Sequence, residues 1–551
     1  MAKPLTYQPL TDFGVNGLNT QNNPSTLDSS WLTRADNVVL RESGRISFRK
    51  GFKQKVVPTG TAIASMVEHN DQGTNKIFAS HGTSIYTIDF TSPNAAFPSS
   101  GDDVKRTVSG TTGDWQFVNF NDRLHCFHTG VIPQRYDGSL GSGSKWTAHA
   151  TDPASITTLF DPSCGMGYYG RIWCGGVAEA KDVVYYSNLL DGDDWTGGDT
   201  GLIDLSKVWD NDEVVALAAF YGKLVIFGKN NIVIYNSPET VGSLAVDEVI
   251  KGIGCVSRDS VQAIGDDLVF LSATGLRSLA RTTEKDKLPL TDLSVNIKDT
   301  LIRNIGQSTN VKSVYVENEG IYIMSFVDKN INYVFDFKHI TPNGAPRITT
   351  WFFDDDREPA SMIYTELYSG LLVGQKDGGI AGYEGYFDTD LAWVNSAASY
   401  TNDPFTTDIS SIWIPMGETM SAALLKRMIF TLEGGSGATM GIKWYKDFSP
   451  SPSNTTTISL NPLTTGTSFL WGASNSLYGA TNAGGAHAGG GHNATLHSTA
   501  STYTPIYGLS EYKTPLTGSA KHLKLNLAIV SNGYDASIQD LSILHLQGKI
   551  R

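Results

Sequence analysis

The chain has 551 residues, of which 40% are hydrophobic and 18% charged, and its formal net charge is −13. That length predicts three or four domains of about 150 residues each, unless one large all-β unit takes up much of it. The acidic balance argues against a protein that grips nucleic acid through clustered Lys and Arg. It leaves open both ordinary solubility and a protein that surrounds DNA without gripping it. With 56 glycines, the composition favours a β-rich, turn-rich chain over a helical bundle.

Residues 1–57 lie outside the periodic pattern that begins after them. The opening sequence MAKPLTYQPL has no apolar run of the kind found in signal peptides. No window approaches 18 consecutive apolar residues, so neither a transmembrane helix nor membrane insertion is expected.

A hairpin pattern recurs along the middle of the chain. Its clearest copy has a turn at 265–267, an apolar strand at 268–271, a second turn at 274–275 and another strand at 276–279. Apolar runs of this length between Gly and Asp predict an antiparallel hairpin. Seven such strands begin at Ile77, Leu124, Ile172, Leu224, Leu268, Ile321 and Leu371.

These seven positions are 47, 48, 52, 44, 53 and 50 residues apart in the sequence, and several copies carry one further strand before the first turn. Units of 40–50 residues with four strands are the signature of a β-propeller. We therefore predict an all-β fold with a propeller of about seven blades over residues 58–390. A string of unrelated hairpins is the alternative.

Residues 391–551 have a different texture. Stretches such as LLKRMIFTLEG and KHLKLNLAIVS alternate apolar and polar residues, which predicts a C-terminal β-sandwich or barrel. Within it, residues 461–519 form a long loop rich in Gly, Ser and His. His487, His492 and His497 of this loop are spaced five apart. A flexible polar loop is the favoured interpretation, although copies brought together in a symmetric oligomer could hold an ion.

Other candidate sites carry weaker signals. Asp191, Asp193, Asp194 and Asp199 resemble alternate calcium ligands, but they lack the EF-hand glycine and glutamate, so a blade-edge turn is favoured. None of the four cysteines sits in a C-x-x-C pair, which argues against zinc, and a bridge between Cys164 and Cys174 stays open. No nucleophile motif, zinc-protease motif or P-loop is present. No enzyme activity, metal or cofactor is therefore predicted.

Two ends of the chain and one middle stretch resemble a known family. The N-terminal segment orders Gly-Leu-Asn-Thr, Asn-Pro, Ala-Asp-Asn-Val and Arg-Lys-Gly-Phe, the middle carries GIGCVSRDSVQAIGDDLVFLSATGLRSL, and the chain closes with IQDLSILHLQGKIR. Together they resemble the tail nozzle or tail-hub proteins of short-tailed bacteriophages, also called tail tubular protein B-like or tail stabilisation proteins. This chain is shorter than many members, so we expect it to lack the added platform or tip domains of the family.

The resemblance implies a structural virion protein, assembled in the host cytoplasm, that forms a hexameric ring below the portal and adaptor. DNA would be retained and ejected through it without specific binding, because a neutral or acidic lining does not hold phosphates. A tail fibre or tail needle protein is a further possible partner. Residues 1–57 would be an arm toward a neighbouring subunit or the adaptor, with an extra propeller strand as the alternative. Its candidate contact residues are Asn19, Asn37, Arg45, Arg49 and Phe52, and the histidine loop would gate the channel.

Two other classes of function fit a propeller. Glycan-binding and glycan-cleaving tail proteins use this fold, although the sequence marks no acid pair for hydrolysis. A cellular ligand-binding or scaffold propeller is the second alternative, and it would be a monomer with partners at the mouth of the propeller.

Overall fold

The computed structural model describes residues 5–41, 45–88, 90, 97, 104–280, 292–308, 310–354, 357–365, 367, 370–384, 390–394, 399–416, 422–435, 439–459, 507–530 and 536–547. Most regular structure in these ranges is β-strand, as the composition predicts. The α-helix found there is α1, Lys298–Ile305. Short 3-10 turns lie at Leu205–Lys207, Val241–Ser243, Arg258–Ser260, Val295–Ile297 and Val327–Lys329. Within these ranges no helix combines the length and the apolar character needed to cross a membrane.

The N-terminal segment contains six short strands that join different sheets. They are β1 (Leu5–Pro9), β2 (Gly17–Leu18), β3 (Trp31–Asp36), β4 (Val38–Leu40), β5 (Ile46–Phe48) and β6 (Phe52–Val56).

The next sixteen strands form four antiparallel sheets of four strands, each in chain order. The first has β7 (Met66–Asp71), β8 (Thr74–His81), β9 (Ser84–Ile88) and β10 (Lys105–Thr107); the second has β11 (Gln116–Phe120), β12 (Arg123–Phe127), β13 (Gln134–Asp137) and β14 (Trp146–Ala148). The third has β15 (Cys164–Tyr168), β16 (Arg171–Val177), β17 (Ala180–Tyr186) and β18 (Gly201–Asp204); the fourth has β19 (Val214–Phe220), β20 (Lys223–Gly228), β21 (Asn231–Asn236) and β22 (Ala245–Lys251).

Three further groups of strands continue the pattern. A three-stranded sheet contains β23 (Gln262–Ile264), β24 (Asp267–Ser272) and β25 (Gly275–Ser278), which confirms the predicted hairpin. A fifth set of four contains β26 (Val311–Val316), β27 (Ile321–Phe326), β28 (Ile331–Ile340) and β29 (Pro346–Trp351). The sixth set contains β30 (Pro359–Thr365), β31 (Gly370–Gln375) and β32 (Ile380–Tyr383), with β6 as its fourth strand.

These six four-stranded sheets are the blades of a β-propeller. The first strands of successive sheets contact one another from β7 through β11, β15 and β19, and from β26 through β30 back to β7. The gap between β19 and β26 is bridged by the turn Arg258–Ser260, which leads into the three-stranded sheet. All seven apolar positions that defined the repeat lie in the second strand of a sheet, and each is buried. The apolar second strand therefore marks each unit because it lies inside the sheet, away from both edges.

The structure has six four-stranded blades where the repeat predicted about seven. The difference lies at the unit of Leu268, whose sheet has three strands within the part of the chain that the structure describes. At the place of a fourth strand, a single β-bridge joins Arg277 to Asp292, and α1 contacts β25. The spacing of apolar second strands says nothing about whether an outer strand forms, which explains the different count.

The remaining strands extend the sixth blade or build additional sheets. They are β33 (Asp390–Val394), β34 (Ser399–Asp403), β35 (Thr406–Ser411), β36 (Ile414–Pro415), β37 (Ala423–Gly435), β38 (Thr439–Lys446), β39 (Asn454–Ser459), β40 (Tyr507–Pro515), β41 (Ser519–Ala520), β42 (His522–Val530) and β43 (Ala536–Leu546). Strands β33 and β34 continue the sixth blade beyond β6. Of the additional sheets, one has the order β4-β5-β43-β37-β40, with β1 on β43 and β41 on β37. The other runs from β29 through β2, β3, β35, β42 and β38 to β39, so it continues the fifth blade. Alternate residues of β42 are buried, as predicted for this stretch.

Strands from the start of the chain connect these parts. Strand β6 pairs antiparallel with β32, where Phe52 faces Tyr383 and Val56 faces Ile380. Strand β2 inserts beside β29, and Gly17 has φ +75° with space for no Cβ, since that atom would lie 2.7 Å from the carbonyl oxygen of Ile348. Strands of the described part of residues 1–57 thus belong to three sheets of the same chain. One of them, β6, is the extra propeller strand that was the alternative prediction for this segment.

The largest hydrophobic core extends from the C-terminal sheets onto the fifth blade, where it includes Tyr322, Met324 and Phe335. It combines apolar side chains of β37, β42 and β43 with those of β3, β5 and α1. Smaller cores fill the spaces between neighbouring blades. All four cysteines are free and buried, and the bridge left open between Cys164 and Cys174 is not formed.

Candidate functional site

The residues predicted to contact an adaptor or another subunit lie mostly inside the chain. Asn19, Asn37, Arg49 and Phe52 are each at most 5% exposed, whereas the Arg45 side chain is 40% exposed and pairs with Glu433 at 2.6 Å. A direct contact role for them remains a prediction, and Arg45 alone of the five offers surface for it in the isolated chain. The three histidines predicted to gate a channel, at positions 487, 492 and 497, lie outside the described residues.

Three of the predicted contact residues meet at one buried site. The Arg49 guanidinium makes two hydrogen bonds of 2.9 Å to the Asp390 carboxylate and a third of 3.2 Å to Asn37 Oδ1. Its carbon lies 3.8 Å from the ring centre of Phe405, and Phe52 lies on another side at 5.3 Å. A guanidinium that makes two parallel hydrogen bonds and lies between aromatic rings has little freedom to move. We call this group of contacts the Arg49 fastening. Here it ties the N-terminal segment to strand β33, which also pairs with β6.

Charged side chains bridge the centre of the propeller. We call Asp114, Arg258, Asp259 and Lys312 the axial cluster. Lys312 Nζ, on β26, lies 2.5 Å from Asp114 and 2.7 Å from Asp259, and Arg258 lies 2.8 Å from Asp114. Asp114 precedes the second blade whereas Lys312 begins the fifth, and these blades are not neighbours. The ion pairs therefore cross the ring.

Mutual attraction sets the protonation of the axial cluster. Burial raises the pKa of Asp114, but Arg258 and Lys312 outweigh it, and the pKa is lowered overall. Burial lowers the pKa of Lys312, yet Asp259 and Asp114 raise it beyond its ordinary value. Asp114, Arg258 and Lys312 are consequently charged at neutral pH. The cluster joins blades that are not neighbours in the ring.

A second polar group lies between the second and third blades. We call His125, His149 and Asp193 the imidazole cluster. His125 is on β12, His149 follows β14, and Asp193 lies in the loop between β17 and β18. His125 Nδ1 lies 3.0 Å from His149 Nε2, and Asp193 Oδ1 lies 3.4 Å from His149 Nε2 and 3.7 Å from His125 Nδ1. Both imidazoles are fully buried, and the Asp193 side chain is 12% exposed.

Hydrogen bonds assign the tautomers of the imidazole cluster. The indole N–H of Trp195 donates to His149 Nδ1 at 3.1 Å, so the proton of the neutral His149 ring lies on Nε2. That proton faces His125 Nδ1, and the His125 proton is then on Nε2, which has no hydrogen-bond partner. Asp193 Oδ2 pairs with Arg135, while Asp193 Oδ1 is buried without a hydrogen bond.

Burial keeps both rings of this cluster neutral. It lowers the pKa of His149 to about 3, with the Arg135 charge as a further cause. It also lowers the pKa of His125 well below the ordinary value, with contributions from His149 and Arg135. Neutral imidazoles and a carboxylate are ligands for transition metals. Among the described residues, His125, His149 and Asp193 are the three side chains of this kind that lie close enough together to share one metal ion.

A surface cleft of about 460 Å³ lies beside the fifth blade. Strands β4, β28 and β29 line it, and its charged side chains have both signs: Arg41, Arg45, Lys338, Arg347, Glu319 and Asp336. Most of these charges are already engaged: Glu319 pairs with Lys50, and the Arg347 guanidinium lies 3.6 Å from Asp336. The cleft therefore presents a mixed polar wall.

Sequence reasoning missed both clusters because their members are far apart in the chain. Asp193 was noted as a weak calcium ligand, and Asp194 beside it forms the predicted turn, accepting backbone N–H groups of Thr196 and Gly197. His125 and His149 carry no metal-ligand spacing. Only the packing of two blades places them next to Asp193.

No known protein family matches this chain. No curated protein sequence has significant similarity to it either.

Proposed function

We propose that the chain is a structural virion protein, a tail nozzle of a short-tailed bacteriophage that surrounds the path of DNA below the portal and adaptor. The observation that carries the proposal is the joining of the two terminal segments that resemble this family. Strand β5, from the N-terminal segment, pairs with β43, from the C-terminal one, with Ile46 opposite Ile538 and Ser47 opposite Ser537. The resembling segments thus form one sheet beside the propeller.

Stiffness and charge both support a wall around a channel. The axial cluster and the Arg49 fastening join parts of the chain that are distant in sequence, which limits bending of the propeller. Because charged side chains bridge the centre of the ring, DNA would pass between copies of the chain and not through one propeller. A net charge of −13 reduces affinity for phosphates, so the duplex can slide.

The partners proposed for this role are other copies of the chain, as a hexamer, and the head-to-tail adaptor, with a tail fibre or needle protein as a further one. The protein would be assembled in the host cytoplasm and act in DNA ejection without enzymatic activity. Arg45, which is partly exposed, is the candidate contact residue for a neighbour.

Two finer features of the fold belong to this proposal. The three-stranded sheet would serve as a seventh, incomplete blade, because it occupies one position in the ring and Leu268 is buried like the other six repeat positions. The sheets containing β37 and β42 would form the predicted sandwich, because their inward side chains share one core.

Particle mass tests the ring. Mass photometry of the purified chain, alone and mixed with the adaptor, should give a species at six times the chain mass of 59.6 kDa in at least one condition. Arg45→Glu, which breaks the partly exposed pair with Glu433, should lower the population of the ring if this surface contacts a neighbouring copy. Lys207→Glu, at a distant exposed position, should leave that population unchanged. A monomer in both conditions would overturn the proposal.

DNA affinity tests the channel lining. Fluorescence anisotropy with a labelled duplex should show no saturable binding at physiological salt. A protein that neutralises several phosphates would instead bind tightly at low salt and lose affinity steeply as salt rises. Such a salt dependence would contradict a passive conduit.

A glycan-binding or glycan-cleaving tail protein is the second candidate, and the polar cleft beside the fifth blade favours it. Its size suits a small sugar unit, and paired charges of both signs can bind hydroxyl groups. Incubation with host surface polysaccharide, followed by chain-length analysis, should show no depolymerisation under the nozzle proposal. Robust turnover that Arg347→Ala abolishes would favour the enzyme instead.

A further inference from the structure

We propose that the imidazole cluster binds one divalent transition-metal ion, with zinc as the best fit, through His125 Nδ1, His149 Nε2 and Asp193 Oδ1. The ion would fasten the second blade to the third. This proposal is independent of the nozzle function.

The spacing of the three ligand atoms fits a small tetrahedral ion. They lie 3.0, 3.4 and 3.7 Å apart. Two ligands bound at about 2.0–2.1 Å to tetrahedral zinc are separated by about 3.4 Å. The ion would fit among the ligands with small side-chain shifts, and water would supply the fourth ligand.

The chemistry of the ligands is also suitable. Two imidazole nitrogens and one carboxylate oxygen are ligands of the type that zinc prefers. Asp193 Oδ1 is buried, lacks a hydrogen bond and faces the two rings. Arg135 holds the other carboxylate oxygen and orients it. Its positive charge weakens ion binding, so an affinity in the micromolar range is expected instead of the tightest zinc affinities.

One proton competes with the ion. In the metal-free chain the His149 proton is on Nε2, because Nδ1 accepts from Trp195. Binding through Nε2 requires that proton to move to Nδ1, and the indole N–H of Trp195 then loses its acceptor. Metal binding and the Trp195 hydrogen bond are therefore mutually exclusive, which makes Trp195 a negative determinant of affinity.

Cobalt provides the probe. The full-length chain, stripped with a chelator and dialysed, is titrated with Co²⁺, and the visible absorption of four-coordinate cobalt is recorded. We expect one ion per chain, displacement by Zn²⁺ and a higher thermal unfolding midpoint with metal. His149→Gln and Asp193→Asn should each lower affinity at least tenfold.

Three further variants control the result. His69→Gln removes another buried histidine, which lies in the first blade and hydrogen-bonds Asn119 of the second, and should leave the titration unchanged. The triple variant H487Q/H492Q/H497Q should also retain the site, which separates it from the loop histidines. Trp195→Phe removes the competing donor and should tighten cobalt binding several-fold.

The outcomes are decisive in both directions. A wild-type chain that gives no four-coordinate cobalt spectrum overturns the proposal, and the cluster is then a hydrogen-bonded contact between blades. So does an undiminished spectrum in both ligand variants, or one that disappears with the loop histidines. If either ligand variant fails to fold, the Trp195→Phe titration decides, because weaker or unchanged cobalt binding there contradicts the assigned ligand atoms.

Discussion

At the residue scale, single buried polar side chains hold distant segments of this chain together. Arg49 was predicted as a contact toward another protein because of its place in the Arg-Lys-Gly-Phe segment. The structure engages its guanidinium within the chain, on Asp390 and three aromatic rings. The segment that carries the family resemblance therefore has an internal structural role, whatever it contacts outside.

Replacing this arginine should be costly. Arg49→Met leaves the Asp390 carboxylate, which is only 19% exposed, without its partner. Removing one member of a buried pair lowers stability by about 3–5 kcal/mol. The control Lys207→Met breaks an exposed pair with Asp204 and should change the free energy of unfolding by less than about 1 kcal/mol. Urea unfolding measures both, and equal effects of the two substitutions would refute the fastening.

The imidazole cluster should make stability depend on pH. The folded-state pKa of His149 is about 3, below its ordinary value of 6.5. Between these two pH values the unfolded chain therefore binds a proton at His149 that the folded chain does not bind. The contribution of His149 to the free energy of unfolding is fully present above pH 6.5. It decreases by about 1.4 kcal/mol for each pH unit as the pH falls toward 3.

His149→Gln should flatten this slope between pH 6.5 and 4.5, relative to the wild type. Urea unfolding at a series of pH values, with a chelator present throughout so that no metal contributes, measures the difference. Identical slopes for the two proteins would show that His149 is protonated in the folded state.

At the element scale, strand β6 closes the propeller. It comes from the predicted N-terminal segment, yet it supplies the fourth strand of the last blade by pairing with β32. A blade assembled from both ends of a ring joins those ends noncovalently. This pairing stabilises the whole circle more than a hairpin of neighbouring strands would.

Phe52→Ala tests this closure. Phe52 packs against Trp351, Phe353 and Tyr383 with ring centres 5.0–6.3 Å apart. Truncating a buried phenylalanine lowers stability by about 3–5 kcal/mol. Hydrogen exchange should show the loss of protection first in β32, while β12 in the second blade stays protected. Lys53→Ala on the same strand is the control, and uniform loss of protection in all blades would argue against a local closure.

At the scale of the whole molecule, the axial cluster joins opposite sides of the ring. Arg258 donates to the carbonyl of Ser163 before the third blade and to Asp114 before the second. Arg258→Met should therefore remove a link between several blades at once. We expect a loss of about 2–4 kcal/mol, smaller than for a fully buried pair because the Asp114 side chain is 46% exposed.

Thermal unfolding followed by calorimetry measures this effect. The variant should unfold in a broader transition as blades lose their common anchor, whereas Lys181→Met, at an exposed pair with Glu213, should unfold like the wild type. A single sharp transition at the wild-type temperature would show that the cluster is not needed for cooperativity.

Short apolar strands and the turns between them were enough to predict a propeller from the sequence. Apolar second strands between Gly-rich turns recur about every fifty residues, and each of them is buried in the structure. Such hairpins form between neighbouring residues, so their signal is contained in short windows. The C-terminal alternation was predictable for the same reason.

Long-range pairing was decided only by the tertiary structure. The outer strand of the last blade, the joining of β5 to β43 and the meeting of His125, His149 and Asp193 all link positions far apart in sequence. Many strands of this chain have similar apolar patterns, and a strand edge accepts any partner of suitable register. The choice among them depends on which arrangement buries the most apolar surface and pairs every buried charge, and this is a property of the whole folded chain.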